Sequence, residues 1–262
     1  MIRRGLERVS ATLAGLAGPL LAPLLLDDAR CPGCGGVAPR QPRQDVGLCA
    51  DCRQALAPQE AAACSGCGQP LCTDEAAPQA AAPLCPACQD SPRPWGRLVC
   101  WGEYDGRLRE LVLGYKFEAR LGLGRQLQEC LAAAFESAAA RHPELAGCEL
   151  VVPVPLHPAR LLRRGFNQSR ELARLLARRR GLPIRQEALL RVRRTKPQME
   201  LDRSARAENI RGAFAADAGL LAGRTALLVD DIMTTGSTLE ECSRMMLAAG
   251  AAQVHVLVLC RA

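Results

Sequence analysis

The chain has 262 residues, 48% of them hydrophobic and only 3% aromatic, with a formal net charge of +7. That length suits one sizeable core with a small appendage, the composition excludes a disordered chain, and no stretch reaches the roughly 18 apolar residues of a membrane-spanning helix. The charge is concentrated: residues 160–211 hold 16 Arg or Lys against 5 Asp or Glu, which points to a polyanionic ligand such as pyrophosphate, other phosphates or nucleic acid. Arg174, Arg178 and Arg179 equally suit a solvated helix face.

In chain order, residues 1–28 come first. The run "LAGLAGPLLAPLLL" at 13–26 follows Arg3, Arg4 and Arg8 and has the outline of a signal peptide. Two prolines interrupt it, no A-x-A site follows, and Asp27 and Asp28 end it. The segment 1–28 reads as an apolar N-terminal helix packed on the body, with a weak membrane-surface contact as the alternative.

Residues 29–90 are rich in cysteine. Cys31-x-x-Cys34 and Cys49-x-x-Cys52 form one array, and Cys64-x-x-Cys67 and Cys85-x-x-Cys88 a second. Thiolates at these spacings converge on a tetrahedral ion, as in a double zinc ribbon with two closed, structural Zn2+ sites. Gly35 and Gly68 follow their pairs, as knuckle turns that aim N–H groups at sulfur require. A disulfide framework is the rival, but it needs an oxidising compartment, and without an evident export signal the expected location is cytoplasmic. The stretch has too few large apolar residues to fold on its own core. Cys72 is a substitute ligand or a bystander thiol; Cys100, Cys130, Cys148, Cys242 and Cys260 read as buried small hydrophobes.

The proline-rich "SPRPWG" at 91–96 opens a third region, 91–262. "RLVCWGEY" predicts a strand, 107–118 a helix with Leu108, Leu111 and Val112 inward, and 121–141 a longer helix. Leu150–Val154 predicts a buried strand, stopped by prolines 153, 155 and 158. Asn167 can cap a helix over 168–180 that Gly181 closes. Residues 191–214 are polar and cationic with little periodicity, which predicts a long functional loop or a disordered insertion.

Ala226–Val229 is an apolar run of strand length, with Asp230 and Asp231 at its carboxyl end. Gly236 suits the turn that follows. A helix starts at Ser237 or Thr238 with Glu240 and Glu241 in its first turn, ends near Gly250, and leads to a second apolar strand at 254–260. Strand, helix, strand makes a crossover in a parallel sheet, where ligands bind outside the strands' carboxyl ends. Loop 233–238 can aim N–H groups at a phosphate, and the hydroxyls of Thr234, Thr235 and Thr238 add donors. The carboxylates repel phosphate and suit ribose hydroxyls, so the pattern describes a sugar phosphate. Neither a Walker loop nor a dinucleotide fingerprint is present.

"VDDIMTTGST" resembles the phosphoribosyl pyrophosphate (PRPP) motif of type I phosphoribosyltransferases. With "YKF", "VVPVPLHPARLLRRGFNQSRELA", "RTKPQMELDRSARAENIRGAF" and the paired C-x-x-C arrays, the chain resembles the ComF family in its two-ribbon form. The resemblance implies an α/β, parallel-sheet, type I phosphoribosyltransferase-like domain preceded by a small zinc-ribbon module. It places Asp230 and Asp231 on the ribose hydroxyls, and the backbone of Thr234, Thr235, Gly236, Ser237 and Thr238 around the 5′-phosphate. Mg2+ would bridge pyrophosphate and ribose. The loop after Val154 resembles the pyrophosphate loop, with Arg160 and Arg164 as cations, while Arg193, Arg194 and Lys196 would close over the site as catalytic lid residues. Phe166, Asn167 and Gln168 also fit packing and capping.

Three functions remain open: a transferase with an acceptor bound in the region between Arg97 and Arg141, a PRPP-fold protein that uses its ligand site for regulation or has lost turnover, and a protein that handles single-stranded DNA with competence-machinery partners. Few aromatics suit base stacking, with Trp95, Trp101, Tyr104 and Phe166 the candidates outside the core.

Overall fold

The structure is a computed structural model that describes residues 30–36, 48–57, 63–71, 83–117, 121–195 and 203–262. The helix expected over 1–28, Cys72 and Lys196 lie outside the described residues. By its internal contacts the chain divides into two compact units, Met1–Arg53 and Gln54–Ala262. No described helix is long and apolar enough to cross a membrane.

In the first unit, a turn at Cys31–Cys34 closes with the Gly35 N–H donating to the Cys31 carbonyl at 2.8 Å. Gly35 holds φ at 74°, in the left-handed region that glycine adopts without steric penalty. The short helix α1 (Ala50–Ala55) follows Cys49 and buries Cys52.

The second unit begins with the other cysteine array and helix α2 (Pro86–Asp90). Then come β1 (Leu98–Glu103), α3 (Gly106–Phe117), α4 (Gly124–Arg141), β2 (Leu150–Pro153), α5 (Pro158–Arg164) and α6 (Gln168–Arg180). The chain continues with β3 (Leu189–Arg191), α7 (Arg203–Ile210), β4 (Phe214–Ala216), β5 (Thr225–Met233), α8 (Ser237–Ala248) and β6 (Gln253–Arg261). The main sheet has the order β1-β6-β5-β2, with every pairing parallel. Helices cover both faces, which is why β5 and β6 read as continuous apolar runs rather than alternating ones. Ala226, Leu228, Val254, Val256 and Val258 share one core with Leu239, Cys242 and Met246 of α8. Alternation sends Leu227, Val229, Leu257 and Leu259 to the opposite face, where α4 and α6 pack.

Helix α6 spans the residues its sequence predicts. The Asn167 side chain accepts from the N–H groups of Ser169 and Arg170, and Gly181 ends the helix at φ 66°. Two expectations change. Strand β5 runs past Val229 to Met233, because β6 stays paired with it as far as Met233↔Arg261. The stretch 191–214 is not one long loop: it holds α7, and β3 and β4 pair antiparallel as a separate two-stranded sheet.

Candidate functional site

Three features gather at the carboxyl ends of β2 and β5. The first is the loop from Met233 to Ser237. Gly236 sits at φ 85°, in the left-handed region that favours glycine, and a Cβ there would come within 2.8 Å of the Met233 methyl, which would have to swing aside. Gly236 is also the N-cap of α8 and offers no side chain to the helix's first N–H groups, which leaves the positive end of the helix dipole on the loop. The hydroxyls of Thr235 and Ser237 lie 3.0 Å apart, Thr234 is exposed and Thr238 half-buried.

The second feature is the acidic pair. Because β5 remains pleated through it, the two carboxylates diverge and meet different partners. Asp230 is half-buried and accepts from the Ser169 hydroxyl at 2.8 Å. Burial, and then the charge of Asp231, push its carboxyl up to about 7. Asp231 is only 5% exposed and forms an ion pair with Lys116 at the end of α3, 2.7 Å from Nζ to Oδ2. Lys116 is the middle residue of "YKF".

The third feature is a cavity of about 540 Å3 lined by His157, Arg160, Arg163, Arg191, Arg194 and Thr195. The loop after β2 builds one wall. His157 caps α5 by accepting from the Ala159 N–H, Pro158 starts the helix, and Gly165 ends it in the left-handed region. The Asn167 side-chain amide donates to the Val154 carbonyl at 3.1 Å and ties α6 to the end of β2. Arg191 comes from β3. Burial lowers its pKa and the nearby Arg160 lowers it further, while Cys242 and Asp230 act the other way. Arg191 is thus the cavity residue that feels the charge of Asp230. Four guanidinium groups around one cavity form a site for an anion with several charged oxygens.

Of the expected cations, Arg160 and Arg194 line this cavity. Arg164 does not: it lies over the Phe117 ring at 5.2 Å, with its pKa lowered by burial. Arg193 is used in the fold, donating to the carbonyls of Asn209 and Arg211 at 2.9 and 2.7 Å. Lys116, Ser169, His157, Arg163, Arg191 and Thr195 are not singled out one by one from sequence, although all but Arg191 fall in the segments "YKF", "VVPVPLHPARLLRRGFNQSRELA" and "RTKPQMELDRSARAENIRGAF" that carry the family resemblance. Phe166 packs edge-on against Tyr115 with ring centroids 5.5 Å apart, and Trp95, expected outside the core, is 6% exposed.

The eight cysteines expected as metal ligands form two tetrads, Cys31, Cys34, Cys49 and Cys52, and Cys64, Cys67, Cys85 and Cys88, with the sulfurs of each within 4.8 Å of one another. Backbone N–H groups point at sulfur: Cys49 N to Cys31 Sγ at 3.3 Å, and Cys85 N to Cys64 Sγ at 3.2 Å. Burial would raise the Cys31 and Cys64 thiols, but these and neighbouring N–H groups outweigh it and lower them to about 6 and about 7. Cys88 goes the other way, to about 12, through burial and the neighbouring thiols Cys85 and Cys67, with Arg93 pulling against them. Four convergent thiols with N–H groups already aimed at sulfur fit a tetrahedral metal held only by protein, which is the structural zinc arrangement. Among the described residues no cluster of carboxylates forms a comparable cage.

Residues 161–262 match the family model described as "Phosphoribosyl transferase domain". The parallel sheet with its covering helices is therefore a phosphoribosyltransferase-type domain, preceded by a cysteine-rich module with two tetrads. The DNA utilization protein YhgH of Escherichia coli is 37% identical over 180 residues, which cover 68% of this chain and 77% of that protein. Competence protein F of Haemophilus influenzae is 33% identical over 180 residues, 68% of this chain and 78% of its own length. The chain belongs to the ComF family.

Proposed function

We propose that this chain binds PRPP with Mg2+, that it acts in DNA uptake as the names of its relatives suggest, and that it can transfer the phosphoribosyl group to an acceptor. One observation carries the reading. The glycine loop and Asp230 lie at the carboxyl end of β5, the loop after the neighbouring strand β2 walls the four-arginine cavity, and Arg191 of that cavity feels the charge of Asp230. Two anion sites and an acidic residue supply partners for the 5′-phosphate, the pyrophosphate and the ribose of PRPP.

In this reading the loop from Thr234 to Thr238 takes the 5′-phosphate with backbone N–H groups and hydroxyls. Asp230 accepts the ribose hydroxyls, and Asp231, neutralised by Lys116, adds no second full charge beside the phosphates. Arg160, Arg163, Arg191 and Arg194 receive the pyrophosphate. The acceptor's nucleophilic atom bonds to C1 of the ribose, the C1–O bond breaks, and pyrophosphate leaves with the electron pair. The guanidinium groups stabilise the charge that grows on the leaving group, so the protein needs no nucleophile of its own. When bound, Mg2+ neutralises the pyrophosphate oxygens, and a half-buried carboxylate such as Asp230 suits its preference for few protein ligands. The two cysteine tetrads hold Zn2+ as structure, and such reduced thiol sites fit a cytoplasmic protein.

A second reading is a binding protein for single-stranded DNA that keeps the fold without turnover. The exposed Arg163, Arg193 and Arg194 beside the cavity favour it, whereas burial of Trp95 removes a stacking candidate. Calorimetric titration of Mg-PRPP into the zinc-loaded chain, beside an Asp230→Asn/Asp231→Asn variant, separates the two. Saturable binding that the variant loses supports the PRPP site. No binding by the folded wild-type protein, with salt-sensitive binding of single-stranded DNA instead, favours the second reading.

A further inference from the structure

Two side chains join the second cysteine tetrad to the ligand loop. Trp95 donates its indole N–H to the Gly66 carbonyl at 2.9 Å, inside the turn between Cys64 and Cys67. The far edge of the same ring reaches the loop, with Cη2 3.8 Å from the place a Cβ on Gly236 would occupy. Arg93 lies over the Trp95 ring at 5.8 Å, and its Nη1 is 3.5 Å from that same point. Arg93 also pairs with Glu240 in the first turn of α8, and it neighbours the Cys88 sulfur.

The surroundings make this contact stiff. The Leu98 N–H donates to the Ser65 carbonyl at 2.7 Å, and Gly68 packs so closely on Leu98 that a Cβ would come within 2.9 Å of it. All four cysteines of this tetrad share a core cluster with Trp95, Met233 and Leu239. On the loop side, the Glu240 N–H donates to the Gly236 carbonyl at 2.8 Å, so a shift of Glu240 pulls on the peptide that sets the loop. Without a metal, the four sulfurs gathered within 4.8 Å lose their common ligand and the turn carrying Gly66 loses its anchor.

We propose that Arg93 and Trp95 are positioning residues that couple metal occupancy of the Cys64–Cys67–Cys85–Cys88 tetrad to the phosphate-binding loop 234–238. Loss of that metal loosens the loop and weakens ligand binding, and by reciprocity bound ligand tightens metal binding. The ligand half of this inference rests on the PRPP reading of the loop.

The test uses the full chain carrying Cys34→Ser and Cys49→Ser, so that zinc remains in the second tetrad alone. Zinc affinity is measured by equilibrium competition with a zinc-selective chelator, with and without Mg-PRPP. PRPP is expected to tighten zinc binding at least about fivefold, the lower end of typical coupling between sites. Adding Arg93→Ala or Trp95→Phe should abolish that tightening while zinc content stays at one equivalent and PRPP affinity falls about tenfold. Zinc affinity that PRPP leaves unchanged, in a protein that binds PRPP, overturns the coupling. If the wild-type chain does not bind PRPP, the reading of the loop fails, and the coupling is judged without ligand by amide hydrogen exchange at 234–240. Faster exchange there on zinc removal, matched by Arg93→Ala in the zinc-loaded protein, supports it; exchange that neither change alters overturns it.

Discussion

The two cysteine tetrads share a motif and differ in what surrounds them. In the first, Cys34 is exposed and Cys49 half-buried, and the tetrad lies in the unit Met1–Arg53. In the second all four cysteines are buried, and they belong to the core that also contains β2, β5, β6 and α8. Repeated C-x-x-C spacing suggests one module repeated, but a metal site acts through what packs on it. Among the described residues, the first tetrad joins the turn at Cys31–Cys34 to the short helix α1. The second is a structural part of the phosphoribosyltransferase-type domain.

The strongest way to break this comparison is to remove each metal separately. Cys67→Ser should abolish the cooperative unfolding transition of the sheet unit. Structural zinc contributes about 10–16 kcal/mol in small domains, as much as the roughly 5–15 kcal/mol by which a whole domain is stable. Cys34→Ser should lose one zinc and leave that transition in place. Thermal unfolding read alongside metal content distinguishes the two, and equal effects of the two substitutions would remove the difference.

A smaller effect sharpens the contrast from the ligand side. Lys116→Met leaves Asp231 buried without its cation, a change that costs about 3–5 kcal/mol where such pairs are buried. Lys116→Met/Asp231→Asn should recover most of the loss in denaturant unfolding, while both variants keep two zinc ions. Comparable in size is a pH dependence. The folded-state pKa of Asp230 is raised to about 7 from 3.8, so its contribution to stability is fully present below about 3.8 and is lost as pH rises through about 7. Asp230→Asn should remove that loss, giving a flatter stability profile between pH 4 and 8 in urea titrations. Smallest is Arg179→Ala. Its pairing with Glu129 at 2.6 Å is partly exposed, and unfolding should shift by less than about 1 kcal/mol.

What the sequence disclosed divides along local and distant causes. Helix α6 was legible to the residue because Asn167 and Gly181 are signals read by neighbouring backbone groups. The loop at Gly236 was legible for the same reason. The end of β5 was not, since its last four residues are strand only because β6 pairs with them. The two-stranded sheet of β3 and β4 was missed likewise, its pairing spanning more than twenty residues of polar sequence. In the site, Lys116 meets Asp231 across 115 positions and Arg93 meets Glu240 across 147, and no local pattern marks either pair. Trp95, named among the stacking candidates outside the core, is buried instead, because the distant Gly66 carbonyl gives its indole N–H a partner. Arg193 was expected over the ligand, and instead holds the chain after α7.

The most direct measurement is a crystal structure of the zinc-loaded chain with Mg2+ and PRPP. The account predicts the 5′-phosphate in the loop 234–238, the ribose against Asp230, and the pyrophosphate among Arg160, Arg191 and Arg194. PRPP lying in the arginine cavity with the loop empty, or absent at saturating concentration, would contradict it.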